Sequence, residues 1–369
     1  MVSGRPLRLG LVGGSPDRSG WASRAHVPAY RLLPEIELVA VCTAHEGTAR
    51  AAAIAHGVPK HYASYRQMLE DAEIDAVSVA IRILQHHAVS SAALSAGKHV
   101  YCEWPLCVRS SEAQELADLA RQRGRRAMTG LQGRFSPSFL RMKELLAEGY
   151  LGRLLTFHLA MFGGSSLSVR SSADAFLADR SSGFGALSIA GGHSIDVLRW
   201  VVGGIEAVSG RVSTRISEWS FRETSTCVPV TSPDSVAVVA SVPGGVVGTI
   251  QVSSVAVSGT GFHLELYGSD GMLAARATGM PELSHVTLSG ARKGGPEREI
   301  AIPDRLCDPA LGDPGSVPYN LARLFRGFVR SIQTGTDLSP TFEDGVRLHR
   351  ILEAVERASD SEGWIAVDG

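Results

Sequence analysis

The chain has 369 residues, 44% of them hydrophobic, 20% charged and 6% aromatic, with 36 Lys and Arg against 37 Asp and Glu for a formal net charge of -1. At roughly 150 residues per domain this length makes about two domains, each able to bury its own core. The even charge balance provides no long-range pull toward phosphate backbones or anionic bilayers, so nucleic-acid and membrane-surface functions are not expected.

The first third alternates short apolar runs with helical patterns. LRLGLVG (7–13) reads as a buried strand and WASRAHVPAYRLL (21–33) as a helix. IELVAVC (36–42) is the next strand, followed by a helix over 47–56 that Gly57 ends. Ser64 and Gln67 have capping-box spacing before a short helix. IDAVSVAI (74–81) is a strand, HHAVSSAALSA (86–96) a helix with Gly97 past its end, and KHVYCE (98–103) a strand. Ser111 with Gln114 caps a helix that stops at Gly124. Apolar strands separated by helices predict a Rossmann-type doubly wound parallel sheet, buried on both faces.

The pattern then changes. Ser136 and Pro137 stand at N-cap and N1 of a helix to about Glu148, and an apolar helix is expected near 190–202. Strands are predicted at 155–162, 206–215, 235–242 and 246–255, then at FHLELYG and MLAARA joined by Ser269-Asp270-Gly271. Thr249, Gln251 and Ser253 alternate with Ile250 and Val252, the period of a sheet with one packed face. A helix over 342–358 closes the chain. The expected organisation is a dinucleotide-binding domain over 1–127 and, over 128–369, an α+β domain with a large open, mainly antiparallel sheet. The five cysteines (Cys42, Cys102, Cys107, Cys227, Cys307) show no metal-binding spacing, so neither a metal site nor a disulfide framework is expected. The N-terminus lacks the apolar run of a signal peptide, and no segment reaches the ~18 apolar residues of a membrane span. A reducing, cytoplasmic setting follows.

Chemistry enters at Gly10-Leu11-Val12-Gly13-Gly14-Ser15-Pro16-Asp17-Arg18-Ser19-Gly20-Trp21, a glycine-rich turn between strand and helix. Such a turn lets backbone N–H groups approach a pyrophosphate, although Ser15 stands where a strict GxGxxG has its second glycine and the last glycine is displaced to Gly20. It reads either as a nucleotide cradle or as an ordinary βα turn. After the second strand comes Thr43, not an acid; this removes the repulsion against a 2′-phosphate and leans from NAD toward NADP, with Arg50 further along.

AGKHVYCEWPL (96–106) and GFGALSIAGGHSIDVLRW (183–200), with the dinucleotide fold before them and the open sheet after, resemble the glucose–fructose oxidoreductase, inositol dehydrogenase and rhizopine-catabolism (Gfo/Idh/MocA) family. GWASRAHVPA (20–29), the CEWPL run, LQGRFSPSFLRMKELLAEGYLG (131–152) and GGHSIDVL (191–198) resemble a narrower subgroup, that of the fungal galactose-regulon repressor, which binds a dinucleotide but regulates. The resemblance implies a cofactor held by Gly13, Gly14, Ser15, Gly20, Trp21, Thr43, Ala80, Ile81, Arg82, His86, Glu103 and Trp104. It places substrate beside Trp104, Gln132, Arg134 and Asp196, with His193 as general acid/base. A histidine, with an ordinary pKa of ~6.5, suits that role.

This chain departs from the family in two places. Trp104 stands where members carry a lysine that steers the substrate hydroxyl, and Ile189 where they carry a carboxylate four residues before the histidine. None of the four lysines (Lys60, Lys98, Lys143, Lys293) falls at a strand end near Trp104. His193 reads either as the acid/base or as a core histidine satisfied by Asp196 or a carbonyl, and Asp196 either serves it or pairs with Arg199 three residues on. Arg82 and Arg134 either grip an anionic ligand or are solvated charges. Two functions follow: an NAD(P)-dependent oxidoreductase of a cyclic sugar, polyol or related ring ketone, or a dinucleotide-sensing regulatory protein. The family resemblance also implies a homo-dimer or homo-tetramer paired through the second sheet.

Overall fold

Apolar runs too short for helices form the first sheet. In the computed structural model, which describes residues 5–16, 20–224, 226–336 and 338–368, six strands pair in parallel: β1 (Leu7–Gly13), β2 (Ile36–Cys42), β3 (Lys60–Tyr62), β4 (Ala76–Ala80), β5 (His99–Cys102) and β6 (Ala127–Thr129). Their order is β3-β2-β1-β4-β5-β6. The chain therefore winds outward one way from β1 and then returns to β1's other side, which opens a switch point at the C-terminal ends of β1 and β4. Leu9, Leu11, Val77, Val79 and Val100 are fully buried, as strands covered on both faces require.

The crossovers are α1 (Val27–Arg31), α2 (Glu46–His56), α3 (Tyr65–Glu70), α4 (His86–Ser95) and α5 (Ser110–Gln122). Gly57 ends α2 at φ +65, and Gly97 follows α4 at φ +75. Two expected caps form differently. Ser64 sits at the N-cap of α3, but its side chain makes no capping bond. The cap of α5 lies ahead of Ser111: the carboxylate of Glu112, at the N3 position, accepts from the N–H groups of Val108 and Arg109, both at 3.2 Å. The expected helix over 21–33 begins with a π turn, Ala22–His26, closed by Val27 N–H on the Ala22 carbonyl.

The chain divides into two compact units, Met1–Gln132 with Ala310–Asp313 and Val317–Val346, and Gly133–Pro309 with Pro314–Ser316 and Arg347–Gly369. A contiguous split at 127/128 therefore misses the return of the helix Val317–Thr334 to the first unit. Aromatic packing explains that return. Phe325 lies with its ring 4.8 Å from that of Tyr30 and 4.5 Å from that of Tyr101.

The second unit opens with α6 (Pro137–Ala147) and β7 (Leu154–Phe162), and a second π turn, Leu187–Gly191, leads into α7 (Gly192–Val202). Then come β8 (Ala207–Ser213), the hairpin β9 (Glu218–Ser220) and β10 (Cys227–Pro229), β11 (Ser235–Val242), β12 (Val246–Ser253), β13 (Gly261–Gly268), β14 (Gly271–Ala277), β15 (Thr287–Arg292), β16 (Arg298–Glu299) and β17 (Ile365–Ala366). Nine of these strands form one sheet, β16-β15-β14-β13-β7-β12-β11-β8-β17, antiparallel except for β7 beside β12. Its inner face, with Val236, Val238, Ile250, Val252, Leu264 and Leu266 buried, packs on α6 and α7.

Candidate active site

Gly13 ends β1 at φ +115 and Gly14 follows at φ +79, conformations that L side chains rarely adopt. A Cβ on Gly13 would lie 2.2 Å from the Ala80 carbonyl, and one on Gly14 would lie 2.9 Å from Leu11 Cδ2. Only glycine lets the β1 turn pass this close to the end of β4. The turn is held from behind: the His56 ring donates to the Gly14 carbonyl at 2.9 Å, and Ser23 Oγ donates to the Ser15 carbonyl at 2.9 Å. Asp17, Arg18 and Ser19 lie outside the described residues. The Gly20 carbonyl accepts from Arg24 N–H at 3.0 Å, so the helical turn begins there. At the end of β2, Thr43 Oγ1 meets Thr48 Oγ1 at 2.6 Å; the first carboxylate afterwards, Glu46, pairs with His61 at 2.9 Å.

The end of β5 carries a buried carboxylate. Glu103 Oε1 accepts from Trp21 Nε1 at 3.0 Å and Tyr101 OH at 2.9 Å, and His26 Nε2 lies 2.6 Å away. Trp104 N–H reaches its Oε2 at 3.3 Å. Behind His26, Nδ1 meets Tyr30 OH at 2.8 Å, and that hydroxyl donates to Ser78 Oγ at 2.8 Å. Burial pushes the Glu103 carboxyl up, but the His26 hydrogen bond and charge, with the Trp21 and Tyr101 donors, outweigh it and hold the group below its ordinary value. Gly130 makes room, since a Cβ there would sit 2.6 Å from Glu103 Oε2. Sequence reading singled out Trp21 and Glu103 but not His26, Tyr30 or Ser78: His26 lies 77 positions from Glu103, and Tyr30 lies 48 from Ser78.

Other expected cofactor residues lie at the same sheet edge. Ala80 ends β4, and Ile81 with the exposed Arg82 forms the following turn. His86 opens α4 fully buried, its Nδ1 at 2.8 Å from the Pro105 carbonyl and Nε2 at 3.1 Å from that of Ile81. Burial lowers its pKa by more than these carbonyls raise it, and the ring sits between the Ile81 and Pro105 turns, where in its neutral form it donates to one of the two carbonyls. Trp104 is 5% exposed. Lysines are engaged elsewhere: Lys60 with Asp71 and Glu73, Lys98 with the Asp71 and Ile74 carbonyls, and Lys143 with the Trp200 carbonyl. Gln132 is buried at the end of the first segment, and its Oε1 has no hydrogen-bond partner among the described residues.

In the second unit the Asp196 carboxylate is saturated by arginines. Arg134 grips it in bidentate fashion, Nε to Oδ2 at 2.8 Å and NH2 to Oδ1 at 2.6 Å, and Arg199 Nε reaches Oδ1 at 3.0 Å. All three are buried, at 4%, 1% and 8% exposure. This corrects two expectations. Arg134 is not a solvated charge: its fork-shaped guanidinium matches the carboxylate, and Gly133 brings the chain against α7. Asp196 is not the partner of His193 but pairs along α7 with Arg199.

His193 sits on the first turn of α7, 8% exposed, and its ring nitrogens make no hydrogen bond among the described residues. The nearest acid is Glu282, 1% exposed in the turn between β14 and β15, with Oε1 3.8 Å from His193 Nε2. Nothing in the sequence marked Glu282, which lies 89 positions from its histidine. Ile189, where a carboxylate was missed, lies in the π turn before α7. No group of three or more His, Cys, Asp and Glu among the described residues could hold a metal, and no helix of theirs is long and apolar enough to cross a membrane.

A glycine cradle at the switch point of a doubly wound sheet defines the class: a dinucleotide-binding α/β protein. Comparison with known proteins makes this specific. Residues 7–131 match the oxidoreductase family with an NAD-binding Rossmann fold, and residues 139–274 match the GFO/IDH/MocA C-terminal domain. Trans-1,2-dihydrobenzene-1,2-diol dehydrogenase of Sus scrofa is 31% identical over 268 residues, 69% of this chain and 72% of that one. Levoglucosan dehydrogenase of Pseudarthrobacter phenanthrenivorans is 25% identical over 393 residues, 98% of each. The regulatory protein GAL80 of Kluyveromyces lactis is 28% identical over 231 residues, 58% of this chain and 49% of that one. Among solved structures, an oxidoreductase domain protein from Kribbella flavida superposes with a TM-score of 0.88 at 26% identity, covering 99% and 100%. Levoglucosan dehydrogenase in complex with NADH and levoglucosan superposes at 0.85 over 99% and 100%, at 24% identity, a likeness of fold alone. The chain belongs to the Gfo/Idh/MocA family of oxidoreductases.

Proposed function

We propose that this oxidoreductase passes a hydride between a nicotinamide dinucleotide and a cyclic sugar, polyol or related ring ketone, with His193 as general acid/base. The observation that carries this reading is the His193 ring: buried, yet bonded neither to Asp196 nor to any carbonyl. A buried polar group is rarely left without a partner, so an unbonded imidazole is one kept for a ligand. The dinucleotide fits the first unit, because Gly13 and Gly14, at positive φ, let the β1 turn pass close to the end of β4 at the switch point of the sheet, where such folds take a pyrophosphate. Gly13, Gly14, Ser15, Gly20, Trp21, Thr43, Ala80, Ile81, Arg82, His86, Glu103 and Trp104 would hold it. When bound it supplies the acceptor or donor of the hydride.

The chain's own residues do the rest. Trp104, a neutral donor, gives an apolar wall instead of the lysine's charge. Gln132 Oε1, buried and without a partner among the described residues, is an acceptor for a substrate hydroxyl. His193 takes or returns the proton of the reacting oxygen. Levoglucosan, named with one relative, is a cyclic sugar of the class proposed. No carboxylate stands at Thr43, which favours NADP over NAD; calorimetric titration with both coenzymes checks that. We infer a homo-dimer or homo-tetramer through the second unit's sheet, and a cytoplasmic setting in keeping with five unpaired cysteines.

The test mixes purified protein with NADH or NADPH, screens sugars and ring ketones, and follows the absorbance of the reduced nicotinamide. Turnover is expected, and His193→Ala should cost about two decades or more of it while leaving coenzyme binding intact. Binding of coenzyme without turnover of any substrate overturns the reading. It would favour instead a dinucleotide sensor, for which Trp104 and Ile189 in place of the lysine and the acid are the motive. Cofactor-dependent capture of a second protein would support that alternative.

A further inference from the structure

We propose that Glu282 is the positioning residue for His193, supplying from the turn between β14 and β15 the carboxylate that the helix lacks at Ile189. This rests on the reading of His193 as acid/base. Asp196, the only acid on α7, is committed to Arg134 and Arg199, so it is not available to the imidazole. Glu282 is placed to serve. Its Oε1 lies 3.8 Å from His193 Nε2, and the two groups are 1% and 8% exposed. Gly133 permits this packing: a Cβ there would lie 3.0 Å from Val197 Cγ2 on α7 and 3.7 Å from Glu282 Cβ.

A gap of 3.8 Å is too long for a direct hydrogen bond but short enough for the carboxylate's charge to act on the ring. A substrate hydroxyl donating to Nε2 loses its one proton to the ring while the O–H electron pair stays on oxygen. The imidazolium so formed lies beside a buried carboxylate, where opposite charge counts for more than in water. Glu282 thus orients the ring and stabilises its protonated form without contacting the reacting carbon.

Ring 15N resonances of His193, recorded without coenzyme and assigned by their loss in His193→Ala, test this directly. Glu282→Gln, of the same size, should shift the proton's distribution between Nδ1 and Nε2; Glu282→Asp should keep most of the wild-type pattern. In turnover, Glu282→Gln should lower kcat tenfold or more with KM changed less than threefold, and Glu282→Asp should recover part of the loss. Unchanged resonances in both variants overturn the proposal, whether or not a substrate has been found. Unchanged resonances with normal turnover overturn it while leaving the dehydrogenase reading intact. Should Glu282→Gln not fold, Glu282→Asp alone decides: it must keep most of the ring pattern and a kcat between wild type and His193→Ala, and a wild-type KM with kcat at the His193→Ala level counts against the proposal.

Discussion

Asp196 carries a sharp expectation at the scale of single residues. One buried carboxylate shared by two buried guanidiniums is costly to assemble and costlier to break, because removing the acid takes away the opposite charge that both buried cations share. Asp196→Ala should therefore lose about 3–5 kcal/mol of unfolding free energy in urea. Arg199→Ala should lose less, since Arg134 still holds the acid. Were Asp196 a substrate ligand instead, Asp196→Asn would raise KM and leave the urea midpoint in place. Gly13 gives a second test. At φ +115, with the Ala80 carbonyl 2.2 Å from where a Cβ would go, Gly13→Ala must move the turn that cradles the coenzyme. The expected result is loss of the thermal shift produced by NADH or NADPH, with a fall in stability of about 1–3 kcal/mol from backbone strain. A full ligand-induced shift in that variant would place the coenzyme elsewhere.

Secondary structure was legible wherever an element is long and its period clean. The strands β1, β2, β4, β7, β11 and β12 lie where alternation or continuous burial put them, and Gly57 and Gly97 mark their helix ends. β3 and β6 were not legible, because three residues cannot show a period of two. The helix Val317–Thr334 did carry a signal that was passed over, with Leu321, Leu324, Phe325 and Phe328 buried at helical spacing. Both π turns were invisible, since one extra residue in a turn hardly disturbs the hydrophobic pattern; yet the first ends on a site histidine, His26, and the second precedes another, His193. Pairings were the least legible part of the site. Trp21 with Glu103, and His193 with Glu282, are joined only by the fold. The edge between β5 and β6 gives a prediction of its own. His99 Nδ1 accepts the Arg126 N–H at 2.9 Å, and burial, with Arg125 and Arg126 nearby, pushes the ring from 6.5 down to about 4. The neutral ring is the folded form, so its contribution is fully present above pH 6.5 and is lost as the pH falls toward 4. It amounts to at most about 3 kcal/mol. His99→Gln keeps an acceptor without a charge. Between pH 7 and 4.5 the wild type should lose about 2 kcal/mol more than this variant in urea unfolding, and parallel curves would refute the assignment.

At the scale of the molecule the unresolved demand is the outer face of the second sheet. The inner face is covered by α6 and α7, but outside it Val239, Val247 and Tyr267 are 38%, 47% and 38% exposed among Thr156, His158, Thr249 and Gln251. Register places them side by side: Val239 opposite Thr249, Thr249 opposite His158, and Tyr267 opposite Thr156. Six adjacent strands, β8 to β14 in the sheet order, at about 4.8 Å spacing and about 25 Å length, present on the order of 600 Å² of flat surface. That approaches the ~800 Å² per partner of a stable interface. The face is mixed, apolar residues among hydroxyls and amides, which suits pairing with its own copy across a two-fold axis better than burial in a core. The protein should therefore sediment as a dimer or tetramer at micromolar concentration. Val239→Arg combined with Thr249→Arg sets four guanidiniums against one another across such an axis and should yield monomer of wild-type circular dichroism. Because the coenzyme cradle lies in the other unit, NADH or NADPH titration of that monomer should give an unchanged affinity. Wild-type protein that sediments as a monomer would rule out this face as the interface, and the exposed valines would then need another cover.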